Sequence, residues 1–310
     1  MASLTLPNLS SIIREPLKTQ SGFLEVLINQ YCPIIGDFCL KFKYLVIVFN
    51  IIILFFLIVI ALMPMLLMGS GFTVNSWKTA WPIALVLVLA LGGLNVFFLL
   101  NYKLLILLER EDWPALAYYL EQKVFGKGQY TSRKVRLLAN SYLIMSDFAS
   151  ILQLESKTTA ARPAIIRKNA LIFGAARLIS GDQQGAAAFF QSCLEKGKVE
   201  EEQWVRWFYG FSRTLAGDFG QAEMEFTTLA ASSRDALITG LSAYFLGNIL
   251  AKHSLNPDEC RSISENGRAR VRKTFKNMEG WKKEAEKAGS EVHTAIIRKY
   301  INEAGPWLFG

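Results

Sequence analysis

The sequence predicts an all-α protein, and three observations support this fold class. Two long apolar runs, Tyr44–Met68 and Trp81–Tyr102, contain no charged residue. Four aspartates then follow at intervals of 35, 35 and 36 residues, and the stretches between them show helical rather than strand-like periodicity. A period near 34 residues with a central turn is typical of helix–turn–helix repeats. These aspartates are Asp112, Asp147, Asp182 and Asp218.

Each apolar run is long enough to cross a bilayer as a helix. The runs contain 25 and 22 residues, and roughly 20 are needed to span the hydrocarbon core. A pair of buried core helices is the alternative, but such helices rarely run so long without a charge. We therefore predict a two-helix transmembrane hairpin with spans at residues 44–68 and 81–102. Residues 1–43 form an N-terminal segment in the cytoplasm or on the headgroups.

Positive charge predicts the orientation of this hairpin. Four Lys or Arg residues precede the first span and two follow the second, whereas the connection at 69–80 carries one. Because cytoplasmic flanks are enriched in Lys and Arg, both termini are expected in the cytoplasm. We predict a multi-pass protein of the inner membrane whose first span is not a cleaved signal. The charges are Arg14, Lys18, Lys41 and Lys43, then Lys78, then Lys103 and Arg110.

The third and fourth repeats align residue by residue. Residues 173–190 match residues 209–226 at six positions. Small residues let paired helices approach, a glycine accepts the left-handed conformation at the end of the first helix, and the aspartate caps the second. The phenylalanine is expected to fill the seam against the next repeat. The identical pairs are Gly174/Gly210, Arg177/Arg213, Gly181/Gly217, Asp182/Asp218, Ala186/Ala222 and Phe190/Phe226.

This pattern resembles the tetratricopeptide repeat (TPR), and the resemblance covers residues 103–253. The second repeat has Leu138, Ala139 and Tyr142 in matching places, whereas Cys193 and Leu229 replace a small residue of the family pattern. The layout is also similar to inner-membrane TPR proteins associated with bacterial haem biosynthesis. The resemblance implies a TPR-like α-solenoid, and residues 254–310 are predicted to form basic helices that cap it.

Motifs that carry catalysis are missing from the sequence. The histidines, His253 and His293, lack the ligand spacing of a metal site. The sequence has neither a phosphate-binding glycine loop nor a nucleophile elbow. The four cysteines form no Cys-x-x-Cys pair and are expected to be reduced and packed. We expect no catalytic residue, metal or cofactor; an enzyme framed by the solenoid would need a polar pocket with convergent carboxylates.

A protein-binding groove is what the resemblance implies, because the first helix of each TPR unit lines a concave surface. Trp204, Trp207 and Phe211 are spaced i, i+3, i+7 and therefore share one helix face. They are either exposed anchors for a partner or core residues packed on a neighbouring helix. Arg136 and Asn140 are similar to the pair that grips a terminal carboxylate in some TPR domains. The implied groove positions are Arg133, Arg136, Asn140, Lys168, Leu171, Trp204, Trp207 and Phe211.

Positive charge is also concentrated in residues 261–299, which contain eleven Lys or Arg against five Asp or Glu. Anionic lipid headgroups, an acidic partner or simple solvation each fit such a patch. No nucleic-acid motif accompanies it, so no nucleic-acid partner is expected. Its densest part is Arg268, Arg270, Arg272 and Lys273.

The function expected from the sequence is a scaffold that recruits or assembles a protein partner at the bilayer. The alternative is a subunit of a membrane transport or secretion assembly. In that case Asn50, Asn95, Gly92 and Gly93 would contact other spans.

Overall fold

The computed structural model describes residues 42–68, 70–288 and 292–310, and these contain helices but no strand. The all-α prediction is confirmed. The described residues form two compact units, 42–119 and 120–310, which we call the hairpin unit and the array unit. The N-terminal segment predicted at residues 1–43 lies almost entirely outside the described residues.

The hairpin unit contains two long helices, α1 (Phe42–Met68) and α2 (Ser70–Glu109), which pack against each other. Asn50 and Asn95 exchange hydrogen bonds between the two helices, with N–O distances of 3.3 and 2.8 Å. The helix α3 (Trp113–Glu121) follows after a turn at Arg110–Asp112 and continues into the array unit. The alternative that these asparagines bind other spans is weakened, because each already bonds the other.

One described stretch, Trp81–Glu109, is long and apolar enough to cross a membrane by its length and composition. Ile47–Val59 is a shorter apolar helix. α2 begins at Ser70, so most of the connection at 69–80 is helical, and α2 continues past Tyr102 to Glu109. The chain continues as a helix because nothing between residues 102 and 109 breaks one. The two-span hairpin itself remains a proposal.

The array unit is built from helical hairpins. First helices pack side by side in one layer (α4 on α7, α7 on α9, α9 on α11), and each pairs with the second helix that follows it. The helices are α4 (Ser132–Ile144), α5 (Phe148–Ala161), α6 (Pro163–Lys168), α7 (Ala170–Ser180), α8 (Gln183–Glu195), α9 (Glu202–Leu215), α10 (Phe219–Ser232), α11 (Ala236–Asn248), α12 (Pro257–Thr274), α13 (Met278–Ala288) and α14 (Val292–Phe309).

The four evenly spaced aspartates occupy the same turn four times. In each turn the aspartate N–H donates to the carbonyl five residues back, at 2.9–3.2 Å. Its Oδ1 accepts a hydrogen bond from the N–H three residues on, at 2.8–3.4 Å. The preceding residue is left-handed, with φ between 53° and 86°. Sequence reasoning therefore identified the helix caps correctly. The left-handed residues are Glu111, Ser146, Gly181 and Gly217.

The aligned glycines bring paired helices together as expected. A Cβ placed on Gly174 would overlap the ring of Phe190, and one on Gly210 would lie 3.2 Å from Cζ of Phe226. Each phenylalanine thus packs first on its own repeat. Phe190 also meets the next repeat, since its ring centroid lies 6.2 Å from that of Phe208. The seam that we predicted is therefore only part of its role.

The aligned arginines tie each first helix to the preceding repeat. Arg177 in α7 forms an ion pair with Glu155 in α5, and both side chains are 15% exposed. Arg213 in α9 donates a hydrogen bond to Gln191 in α8 at 2.8 Å. An identical position therefore joins adjacent repeats in both cases, once through a carboxylate and once through an amide.

Two breaks separate consecutive helices. Asn169 separates α6 from α7, is buried, and donates to Ser132 Oγ at 3.1 Å and to the Ile165 carbonyl at 2.8 Å. The C-terminal stretch is interrupted near Phe275. Its first helix, α12, pairs with α11 as a fifth hairpin, where Ser264 Oγ donates to the Ala243 carbonyl at 2.7 Å.

Candidate functional site

The predicted groove positions fall on the layer of first helices, and their exposure changes along the array. In α4, Arg133 and Arg136 are exposed and Asn140 is half-buried. Lys168 is exposed at the end of α6, and Leu171 is half-buried in α7. These five residues therefore remain accessible to a partner. We call Arg136, Asn140 and Leu171 the open face.

Arg136 is the residue of the open face that is held by the most polar contacts. Its Nε donates to Asn169 Oδ1 at 2.9 Å, and Nη2 donates to the Lys168 carbonyl at 3.2 Å. Nη2 also lies 3.6 Å from a carboxylate oxygen of Glu200. Asn140 lies one helical turn further along α4, and its Oδ1 is buried with no hydrogen-bond partner in the protein. The arrangement presents a positive charge and an amide side by side.

Trp207 and Phe211 of α9 are core residues, so core packing is the alternative that holds at these two positions. Trp207 is 0% exposed and Phe211 is 1% exposed, while Trp204 is half-buried. The rings of Trp207 and Phe211 stack with centroids 5.3 Å apart, and Trp207 also contacts Phe245 of α11 at 5.3 Å. The spacing placed them correctly on one face, but that face is covered.

The C-terminal helix α14 covers this part of the first-helix layer. It packs against α7 and α11. The ring of Tyr300 lies 5.7 Å from that of Phe211 in α9 and 4.9 Å from that of Phe245. Burial, followed by the nearby carboxylate of Glu303, raises the pKa of Tyr300 to about 12. A partner therefore meets a closed surface at the fourth repeat.

Sequence reasoning missed this role of α14, although a signal was present. Its buried positions recur at i, i+3, i+4, i+7 and i+11, which is the spacing of one continuous helix face. Trp281 of α13 fixes the helix further, because its Nε1 donates to the Ile301 carbonyl at 3.2 Å. The buried face comprises Ile297, Tyr300, Ile301, Ala304 and Leu308.

Most side chains of the predicted basic patch donate hydrogen bonds to backbone carbonyls of the protein. Arg268 and Arg272 both donate to the Leu308 carbonyl at the end of α14. Arg270 donates to the carbonyls of Ala230, Ala231 and Ser233, at 2.6–2.8 Å, at the end of α10. Lys273 is exposed and has no partner among the described residues. Three of the four side chains thus satisfy helix C-termini, which the charge count alone did not indicate.

Reactive side chains do not cluster anywhere in the described part of the chain. Within it, no group of three His, Cys, Asp or Glu residues is placed to hold a metal ion. Burial and then the Glu155 carboxylate raise the pKa of the Cys193 thiol to about 11, and burial also raises the pKa of the Cys260 thiol. Both thiols are inert packing groups at neutral pH.

Fold and surface together define a class, a helical-hairpin repeat protein attached to an apolar helical unit. A family model described as "Uncharacterised Treponema protein" matches residues 150–310. A protein of Treponema pallidum (strain Nichols), described as an uncharacterised protein, is 30% identical over 289 residues, which cover 88% of this chain and 89% of that relative. The chain belongs to this Treponema family. No solved structure matches it.

Proposed function

We propose that this protein is a membrane-anchored, TPR-like scaffold that holds a protein partner at the cytoplasmic face of the inner membrane. The observation that carries the proposal is the open face of Arg136, Asn140 and Leu171. It lies on the first-helix layer of a helical-hairpin array, where α14 buries the corresponding surface of the fourth repeat. Such an array displays side chains on a stable frame without requiring reaction chemistry.

Anchoring would come from α1 and α2. The apolar side chains of Trp81–Glu109 lie on the surface of the hairpin unit rather than inside it. A soluble protein rarely exposes so large an apolar area. With both termini in the cytoplasm, the scaffold would act by concentrating and orienting its partner beside the bilayer.

Crosslinking in intact cells followed by affinity purification of the full-length chain tests the proposal. The Asn140→Lys variant adds bulk and charge to the open face, and Lys273→Ala on the terminal helices is the matched control. We expect one protein to be recovered with the wild type and the control but lost with Asn140→Lys. Equal recovery of every protein with all three chains would refute the scaffold function.

Anchoring is tested separately by alkaline carbonate extraction and by labelling a cysteine placed at Ser76. The full-length protein should stay in the membrane pellet, and the label should react only from the periplasmic side. Release into the supernatant would contradict anchoring. Labelling only from the cytoplasm would reverse the proposed orientation.

A subunit of a transport or secretion assembly is the second candidate, and one observation favours it. Gly92 and Gly93 are exposed on α2, and a Cβ added to either would meet no atom within 4 Å. Small residues on an apolar helix allow another helix to approach closely. Crosslinks from cysteines at these positions to a second membrane protein would support this candidate over the scaffold.

A further inference from the structure

Positive charge is also concentrated at the beginning of the array unit. Residues 122–168 contain nine Lys or Arg and only two acidic residues, Asp147 and Glu155, which is a surplus of seven in a chain of net charge +8. Glu155 is engaged by Arg177. The described C-terminal arginines, by contrast, mostly bond helix ends. Positive charge is exposed in both segments, but 122–168 contains fewer acidic residues.

Two loops bring four of these cations onto one edge of the array. Arg162, between α5 and α6, donates from Nη1 to the Tyr130 carbonyl before α4, at 3.4 Å. The Lys168 carbonyl at the end of α6 accepts from Arg136 Nη2 of α4 at 3.2 Å. The segment before α4 and the segment around α6 are therefore neighbours. We call Lys127, Arg133, Arg162 and Lys168 the loop edge.

The four side chains of the loop edge are exposed and available. Among the described residues, Lys127, Arg133 and Lys168 make no side-chain hydrogen bond or ion pair, and Arg162 uses only Nη1. The opposite ends of the same helices carry the aspartate turns. In the second repeat, the exposed cations thus lie at one end of the hairpin and the aspartate turn lies at the other. Glu200, which lies 3.6 Å from Arg136 Nη2, adds a negative charge beside the loop edge.

We propose that the loop edge binds the anionic headgroups of the bilayer in which the protein is anchored. This inference rests on the proposed anchoring and concerns residues that border the open face. Cations beside an anionic leaflet each strengthen binding roughly fivefold, and salt screens the attraction. Two of the four are lysines, whose compact ammonium groups suit a fluid surface of phosphates.

An acidic protein fits the loop edge less well. Protein interfaces depend on buried aromatic or aliphatic anchors. The large apolar side chains that are exposed in the array unit include Leu152, Met224 and Leu255, and none lies within residues 126–134 or 161–169. A surface of cations without such an anchor is what headgroup contact requires.

Hydrogen exchange of the full-length protein in nanodiscs tests the proposal. One set of discs contains phosphatidylcholine alone, and the other contains about one third phosphatidylglycerol. We expect amides of residues 126–134 and 161–169 to exchange more slowly in the anionic discs, and this difference to vanish at about 1 M salt. The Arg133→Gln/Lys168→Gln variant should lose most of the difference. The matched control, Lys273→Gln/Lys276→Gln, should retain it.

Equal exchange of both segments in the two lipids would overturn the proposal, as would equal protection in the variant and the wild type. Protection that is already complete in phosphatidylcholine would also contradict it, because charge would then play no part. Carbonate extraction of the same preparations separates the two proposals. A protein that stays anchored but shows no lipid-dependent protection retains the proposed anchor and loses the proposed contact.

Discussion

The first helices of the second and fourth repeats occupy equivalent positions but have opposite environments. Arg136 and Asn140 of α4 reach solvent, whereas Trp207 and Phe211 of α9 are buried. The turns after both helices are built alike, with an aspartate cap and a left-handed residue before it. Local sequence therefore sets the repeat, but a distant segment decides whether the surface of its first helix is open. That segment is α14, which contributes Tyr300.

The largest expected effect comes from truncating a core aromatic side chain. Trp207→Ala should destabilise the fourth repeat by about 3–5 kcal/mol, because the residue is fully buried among rings. Arg133→Ala, at an exposed and unpaired position, should change stability by less than about 0.5 kcal/mol. Hydrogen exchange of residues 202–226 in the full-length protein measures the opening free energy. Equal effects of the two substitutions would contradict the closed fourth repeat.

Glycine substitutions sharpen the comparison between the third and fourth repeats. Gly174→Ala should cost about 1–3 kcal/mol, since the new methyl group overlaps the Phe190 ring. Gly210→Ala should cost clearly less, because its methyl group would lie 3.2 Å from Phe226 and needs only a small shift. Thermal unfolding monitored by circular dichroism compares the two variants. A larger loss for Gly210→Ala would reverse the packing order described for these repeats.

Substitutions in the turns should change stability by smaller amounts, and in opposite directions at the two positions. Ser146 and Gly217 occupy the same left-handed position, with φ of 56° and 82°. Ser146→Gly should stabilise the array by about 0.5–1 kcal/mol, and Gly217→Ala should destabilise it by about 1 kcal/mol, because a Cβ is strained there. Chemical denaturation of both variants in one detergent reports the difference. Shifts of the same sign would show that the two turns are not equivalent.

The buried thiol gives an effect that is confined to alkaline pH. The folded pKa of Cys193 is about 11, above its ordinary value of 9.0. Its contribution to stability is therefore complete below pH 9 and is lost as the pH rises through 11. Alkylation of Cys193 at pH 8 should be negligible in the folded protein and rapid in urea. Fast alkylation of the folded protein, located by mass spectrometry, would contradict its burial.

Features that depend on residues close in sequence were predicted correctly, whereas features that depend on residues far away in sequence were not. The aspartate caps depend on residues within one turn of chain, so their spacing was sufficient to predict them. The burial of Phe211 depends on Tyr300, which is 89 residues away, and no local pattern specifies that contact. Arg270 shows the same limit, because the Ala230 carbonyl that it bonds lies in α10, about 40 residues before the basic patch in sequence.

Photo-crosslinking tests the central claim most directly. A photoreactive phenylalanine analogue is introduced into the full-length protein in membranes, at Asn140 in one variant and at Phe211 in the other. We expect residue 140 to form an adduct with a second protein. We expect residue 211 to form an adduct within the same chain, with α14 near Tyr300. An adduct between residue 211 and a second protein, with none from residue 140, would contradict an open second repeat and a closed fourth repeat.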